Sequence, residues 1–120
     1  MEDVKCINIA FCVPKEDAEE VQTVFKKHAS WMEEFYAKSE QHLLNSYFTR
    51  SIEYKDPTDP SKGETGNILF TINERFTSQE SVVRHIQTAS KNDYFVKFAE
   101  ILQTYGKVVA PLGSIYKSIR

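Results

Sequence analysis

Hydrophobic periodicity along the 120 residues predicts an α+β fold in the order β-α-β-β-α-β. Three observations carry the prediction. Residues 4–13 and 67–76 alternate with period two, about Lys15 to Ala37 carries an apolar stripe of helical period, and a capped amphipathic stretch follows Phe76. In the first strand Ile7, Ile9, Phe11 and Val13 share one face and Cys6, Asn8, Ala10 and Cys12 the other. Both faces are semi-apolar, as in a central strand covered on two sides, and Pro14 ends it. Helix one follows, with Glu16 and Asp17 in its first turn, where the helix dipole favours anions. Its stripe is Ala18, Val21, Phe25, His28, Met32 and Phe35, widened by Val24 and Trp31.

Strand two covers about Leu43 to Tyr54, and the turn-rich segment Lys55 to Gly66 connects it to strand three, about Asn67 to Phe76. Ile68, Phe70 and Ile72 share a face of strand three with Glu74 and Phe76. Thr77-Ser78-Gln79-Glu80 reads as a capping box opening a helix over about Ser78 to Thr88. A second helical piece starts at Ser90, where Ser90-Lys91-Asn92-Asp93 offers another cap. Its stripe is Tyr94, Phe95, Phe98, Ile101, Leu102 and Tyr105, and Gly106 stands as its C′ residue. Strand four spans about Lys107 to Ile119, with Pro111 and Gly113 demanding an edge position or a bulge. The order is that of a ferredoxin-like domain: one four-stranded antiparallel sheet with the helices on one face, in a single domain over residues 1–120. The uncovered face predicts a homodimer that pairs two such sheets.

Composition narrows the function classes. A formal net charge of −2 with scattered Lys and Arg leaves no basic stripe for a phosphate backbone, so no nucleic acid partner is expected. No apolar run approaches the ~20 residues of a membrane span, and no secretory signal opens the chain, so no membrane association and a cytoplasmic location are expected. Cys6 and Cys12, if both on one strand, lie about 20 Å apart, too far for a disulfide. His28, His42 and His85 lack metal-motif spacing, so no metal is expected; no dinucleotide loop, phosphate loop or hydrolase elbow is present, so no cofactor is expected either.

The residues that could carry chemistry cluster late in the chain. His85 follows Glu74 by eleven residues, a distance at which a tight capped turn folds the helix back over the strand it left. His85 is the candidate general base, since an imidazole titrates near neutrality; a structural histidine bonded to a carboxylate is the bland alternative. Glu74 either orients His85 or pairs with Arg75 or Arg84, the ion pair being the simpler expectation. Asn8 faces away from the Ile7 row, as an amide that either holds a substrate carbonyl or is satisfied within the sheet. Phe76, Trp31 and Tyr47 are the candidate substrate-contacting aromatics, with packing or surface roles as the alternative.

Ile72-Asn73-Glu74-Arg75-Phe76, Thr77 to Val82, His85 and Phe95-Val96-Lys97-Phe98 together resemble the antibiotic-biosynthesis-monooxygenase-like family of the dimeric α+β barrel superfamily. Members commonly show a glutamate near the end of strand three, an aromatic two residues later and a histidine eleven residues after the glutamate. The resemblance implies a cofactor-independent monooxygenase, or related small enzyme, acting on a small organic molecule of the flat phenol or quinol kind. The alternative is a non-catalytic dimeric binding or stress-associated domain of the same fold. Haem-degrading members pair a strand-one asparagine and a helix-two histidine with a strand-three tryptophan; Phe76 stands near that tryptophan position, so haem is not expected.

Overall fold

The computed structural model describes residues 3–38 and 42–119. Strands β1 (Lys5–Pro14), β2 (Leu43–Tyr54), β3 (Glu64–Phe76) and β4 (Gly106–Ser114) form one sheet in the order β2-β3-β1-β4. Every neighbouring pair is antiparallel, so the two strands richest in apolar residues are central and β2 and β4 are edges. Helices α1 (Ala18–Ala37), α2 (Gln79–Ala89) and α3 (Phe95–Tyr105) cover one face.

The core lies between that face and the helices. Phe11, Val13, Ile68, Phe70 and Ile72 of the sheet meet Val21, Phe25, Phe98 and Ile101 of the helices. Phe25 sits at the centre, its ring 4.7 Å from Phe11 and 5.5 Å from Phe70. Burying each such side chain is worth about 1.5–3 kcal/mol, which makes this aromatic cluster the main fastening of α1. A second buried group, Ile7, Met32, Tyr36, Phe76 and Val82, holds the other end of α1 against α2.

Several sequence expectations need correction. Lys15–Asp17 form a 3-10 turn, and α1 starts only at Ala18. Its stripe ends on Tyr36, four residues after Met32, while Phe35 stays half-buried. Strand β3 begins at Glu64, inside the segment expected to be a loop, because Gly63 and Gly66 turn the chain at φ 97° and 94°. The cap of α2 is Ser78, whose hydroxyl accepts from the Ser81 amide; Thr77 still donates its amide to His42 at the sheet's end. The Ser90–Asp93 segment closes α2 instead of opening α3, with the Ser90 hydroxyl donating to the Gln87 carbonyl and the Asn92 amide to the Ala89 carbonyl. Gly106 is extended, at φ −98°. A glycine is required there by close approach, since a Cβ would stand 2.7 Å from Leu102 Cδ1 and 2.8 Å from its carbonyl oxygen. Strand β4 ends at Ser114 rather than Ile119, and its pairing with β1 shifts register on either side of Asn8, the irregularity that Pro111 and Gly113 foreshadow.

Both cysteines are free thiols, Cys6 buried and Cys12 exposed. Among the described residues no helix is long and apolar enough to cross a membrane.

Candidate active site

Glu74 occupies an inward position of β3, flanked by Ile72 and Phe76, and is 2 % exposed. A carboxylate there must be satisfied from within the core, and two histidines do it. His28 Nε2, from the middle of α1, lies 3.1 Å from Glu74 Oε2. His85 Nε2, from α2, lies 3.3 Å from Oε1. Each remaining ring nitrogen meets a buried phenol: His28 Nδ1 is 2.6 Å from the Tyr94 hydroxyl and His85 Nδ1 2.7 Å from that of Tyr36. The result is a continuous polar chain, Tyr94–His28–Glu74–His85–Tyr36, through an otherwise apolar interior.

The electrostatics follow from this arrangement. Burial by itself raises the Glu74 carboxyl, but hydrogen bonds from His28 and His85 and their electrostatic attraction outweigh it and hold the group down to about 2. The carboxylate is therefore ionised at every working pH. Burial, then the Glu74 charge, push the Tyr36 and Tyr94 phenols well above their ordinary range, so both keep their protons.

The centre of this chain forms one wall of a pocket of about 230 Å³ enclosed by β1, β3, α2, α3 and β4. Ile7, Ile9, Ile72, Phe98 and Leu102 make up much of the rest of the lining, and His28, Glu74 and His85 are its polar members. The same three are a group that could hold a metal ion, their ligand atoms lying within 4.8 Å of one another. Sequence spacing pointed away from any such group; the fold assembles it from three separate elements. As the side chains stand, direct histidine–carboxylate hydrogen bonds close the cluster.

Of the sequence candidates, His85 and Glu74 meet in the pocket wall. The expected ion pair of Glu74 with Arg75 or Arg84 is replaced by the two histidines, because Glu74 points into the core and Arg75 to the other sheet face. Phe76 packs under His85 with ring centres 5.0 Å apart, and Trp31 lies against both His28 and His85 at 5.7 and 5.5 Å. Neither is among the residues lining this pocket; both pack against the imidazoles that do. Asn8 and Tyr47 stand on the opposite sheet face. There Asn8 donates to Asn73 Oδ1 at 3.0 Å, and Asn73 donates on to Thr71. Asn8 thus works within the sheet and does not reach the pocket. Tyr47 is 54 % exposed.

Sequence reasoning missed His28, Tyr36 and Tyr94 as site members. His28 had a visible signal: a histidine in the middle of an apolar stripe needs a buried partner, and the one carboxylate on an apolar strand face needs one too.

No family model and no curated protein matches the sequence. Solved structures do match over almost the whole chain. A candidate antibiotic biosynthesis monooxygenase from Caulobacter crescentus shares 18 % identity at TM-score 0.58, covering 97 % of this chain and 92 % of that one. SnoaB, a cofactor-independent oxygenase from Streptomyces nogalater, shares 14 % identity at TM-score 0.52, with 99 % and 98 % covered. A Bacteroides thetaiotaomicron protein of unknown function, offered as an oxidoreductase candidate, shares 13 % at TM-score 0.56, with 96 % and 100 % covered. The fold is therefore that of the antibiotic-biosynthesis-monooxygenase-like proteins.

Proposed function

We propose that the protein is a small monooxygenase-type oxidoreductase that deprotonates a flat, acidic organic molecule of the phenol or quinol class and lets the resulting anion react with dioxygen. One observation carries this reading: an imidazole braced by a buried carboxylate forms the polar wall of an otherwise apolar pocket. The fold shared with SnoaB, a cofactor-independent oxygenase, supports it.

His85 Nε2 is the base. On substrate entry the 3.3 Å contact of Nε2 with Glu74 Oε1 gives way to the substrate: His85 takes the tautomer whose Nδ1–H is donated to the Tyr36 oxygen, Nε2 accepts the substrate proton, and the Glu74 carboxylate beside it stabilises the imidazolium that forms. His28 donates Nε2–H to the other carboxylate oxygen and keeps Glu74 in place. The apolar lining leaves the substrate anion poorly solvated and electron-rich, which favours attack on dioxygen. One oxygen atom stays in the product as a carbonyl. The other leaves as water with the two hydrogens lost from the substrate, one of them returned by His85. A homodimer, closing the free sheet face, belongs to the same reading.

The test is oxygen uptake with a panel of phenols and quinols, run with and without a chelator. Uptake that survives the chelator supports the proposal. Uptake lost to the chelator and restored by a divalent metal would replace it with a metal-dependent oxidoreductase, for which His28, Glu74 and His85 are the ligands at hand. Saturable binding without uptake would favour a binding domain.

A further inference from the structure

We infer that His28, Glu74 and His85 form a site for one divalent transition-metal ion of the zinc class, held at the wall of the apolar pocket. The site stands on geometry alone and goes beyond the proposed reaction. Three separate elements supply the ligands: α1 gives His28, β3 gives Glu74 and α2 gives His85. Two imidazoles and one carboxylate are a donor set that suits zinc and its first-row neighbours, and a three-ligand zinc site keeps a fourth position open. All three side chains line the cavity, so that position faces the space in which a small molecule would sit.

The separations are already close to those of a coordination shell. His28 Nε2 stands 3.1 Å from Glu74 Oε2, and His85 Nε2 stands 3.3 Å from Oε1. Bonds of about 2.0–2.2 Å to one ion set neighbouring ligand atoms about 3.0–3.5 Å apart, so both nitrogens stand at ligand spacing from the carboxylate. The three ligand atoms lie within 4.8 Å of one another. Closing them around an ion takes shifts of about 1 Å per side chain.

The outer nitrogens are held as well. His28 Nδ1 is 2.6 Å from the Tyr94 hydroxyl and His85 Nδ1 2.7 Å from that of Tyr36. A ligating histidine needs its other ring nitrogen fixed by a hydrogen bond, and each ring has that partner in a buried phenol. With the ring proton on Nδ1 and donated to the phenol oxygen, each Nε2 offers its lone pair to the ion. Trp31 packs against both imidazoles, at 5.7 and 5.5 Å, and Phe76 against His85 at 5.0 Å, so neither ring swings away from Glu74. The ion replaces two histidine–carboxylate hydrogen bonds, and a carboxylate only 2 % exposed gains a full positive counter-charge. Binding also changes the chemistry. The lone pair of His85 Nε2 cannot hold a metal ion and accept a proton at once, so the metal-loaded form lacks the base of the proposed reaction.

The test uses the full-length protein, freed of metal with a chelator and then titrated with Co²⁺ as a visible probe. Expected is a d–d absorption band of low-coordinate cobalt that saturates at one ion per chain in the micromolar range and is displaced by Zn²⁺. His28→Gln and His85→Gln, folded by circular dichroism, should each weaken binding by about a hundredfold or more, since loss of an outer-shell partner alone costs about 10–100-fold. No saturation below millimolar Co²⁺ would overturn the site. Equal affinity in both glutamine variants would also overturn it, by placing the ion at a surface group such as the exposed Cys12 thiol. The oxygen-uptake assay separates this inference from the oxygenase reading. Where uptake is found, one bound equivalent of Zn²⁺ should abolish it and a chelator restore it; uptake unchanged with the ion bound would overturn the inference. Saturable metal binding with no uptake from any member of the panel, or uptake that requires the ion, would sink the oxygenase reading and leave the metal site standing.

Discussion

Glu74 is the residue on which the interior depends, because two histidines from different helices are satisfied by its two oxygens. Glu74→Ala should cost about 3–5 kcal/mol in urea unfolding, the scale for leaving buried polar partners uncompensated. The carboxyl is depressed from 4.5 in the free chain to about 2 in the fold. Its contribution is therefore fully present above about pH 4.5 and is lost as the pH falls toward 2, an effect on the order of 3 kcal/mol. Urea titrations across that window should show wild-type stability declining while Glu74→Ala declines less. His85→Ala is expected to lower oxygen uptake about a hundredfold or more, the scale for a general base, without changing subunit mass. Equal uptake in that variant would remove His85 from the chemistry.

At the scale of elements, the site depends on how α2 leaves β3. Ser78 caps α2 and fixes the turn that carries His85 back over Glu74. Ser78→Ala should cost about 1 kcal/mol, read as a lowered urea midpoint with an unchanged slope. The passage from α3 into β4 is tighter still. Gly106→Ala would set a methyl group against the Leu102 carbonyl and the Phe11 ring, and a loss of about 1–3 kcal/mol is expected. Gly106 stands away from the pocket's polar wall, so a fall in stability with histidine NMR signals unmoved is the pattern anticipated there, whereas Ser78→Ala should also shift the His85 signals.

For the molecule as a whole, the free face of the sheet is the surface on which assembly turns. It bears the Asn8–Asn73–Thr71 ladder alongside Ala10 and Leu69, and the buried Arg75 Nε has no partner among the described residues. Beyond β4, Tyr116 and Ile119 are 97 % and 85 % exposed. Apolar and unsatisfied groups together on an open sheet favour pairing with a second copy. Sedimentation at micromolar concentration should give twice the chain mass of 13.9 kDa. A clean monomer would refute the pairing, and a charged substitution such as Leu69→Glu should dissociate a dimer without disturbing the core.

The order of elements was legible in the sequence because it rests on local periodicity: period two in β1 and β3, period 3.6 in α1, and a Thr-Ser capping turn before α2. The Glu74–His85 approach was legible for the same reason, since eleven residues with a capped turn between them leave the chain little freedom. Local pattern also misled. Thr77 and Ser78 are both good caps, and which one serves depends on where β3 stops pairing with its neighbours. The remainder of the site belongs to the tertiary structure alone. His28 lies 46 residues from Glu74, and Tyr94 lies 66 from His28. Nothing in the spacing of either pair marks them, because packing α1 and α3 over a twisted sheet sets those distances. The sequence by itself placed a carboxylate and an imidazole where they could share a pocket wall; the fold decided that they meet, and that a second imidazole and two phenols complete the group, since only a closed core forces buried polar groups to find one another.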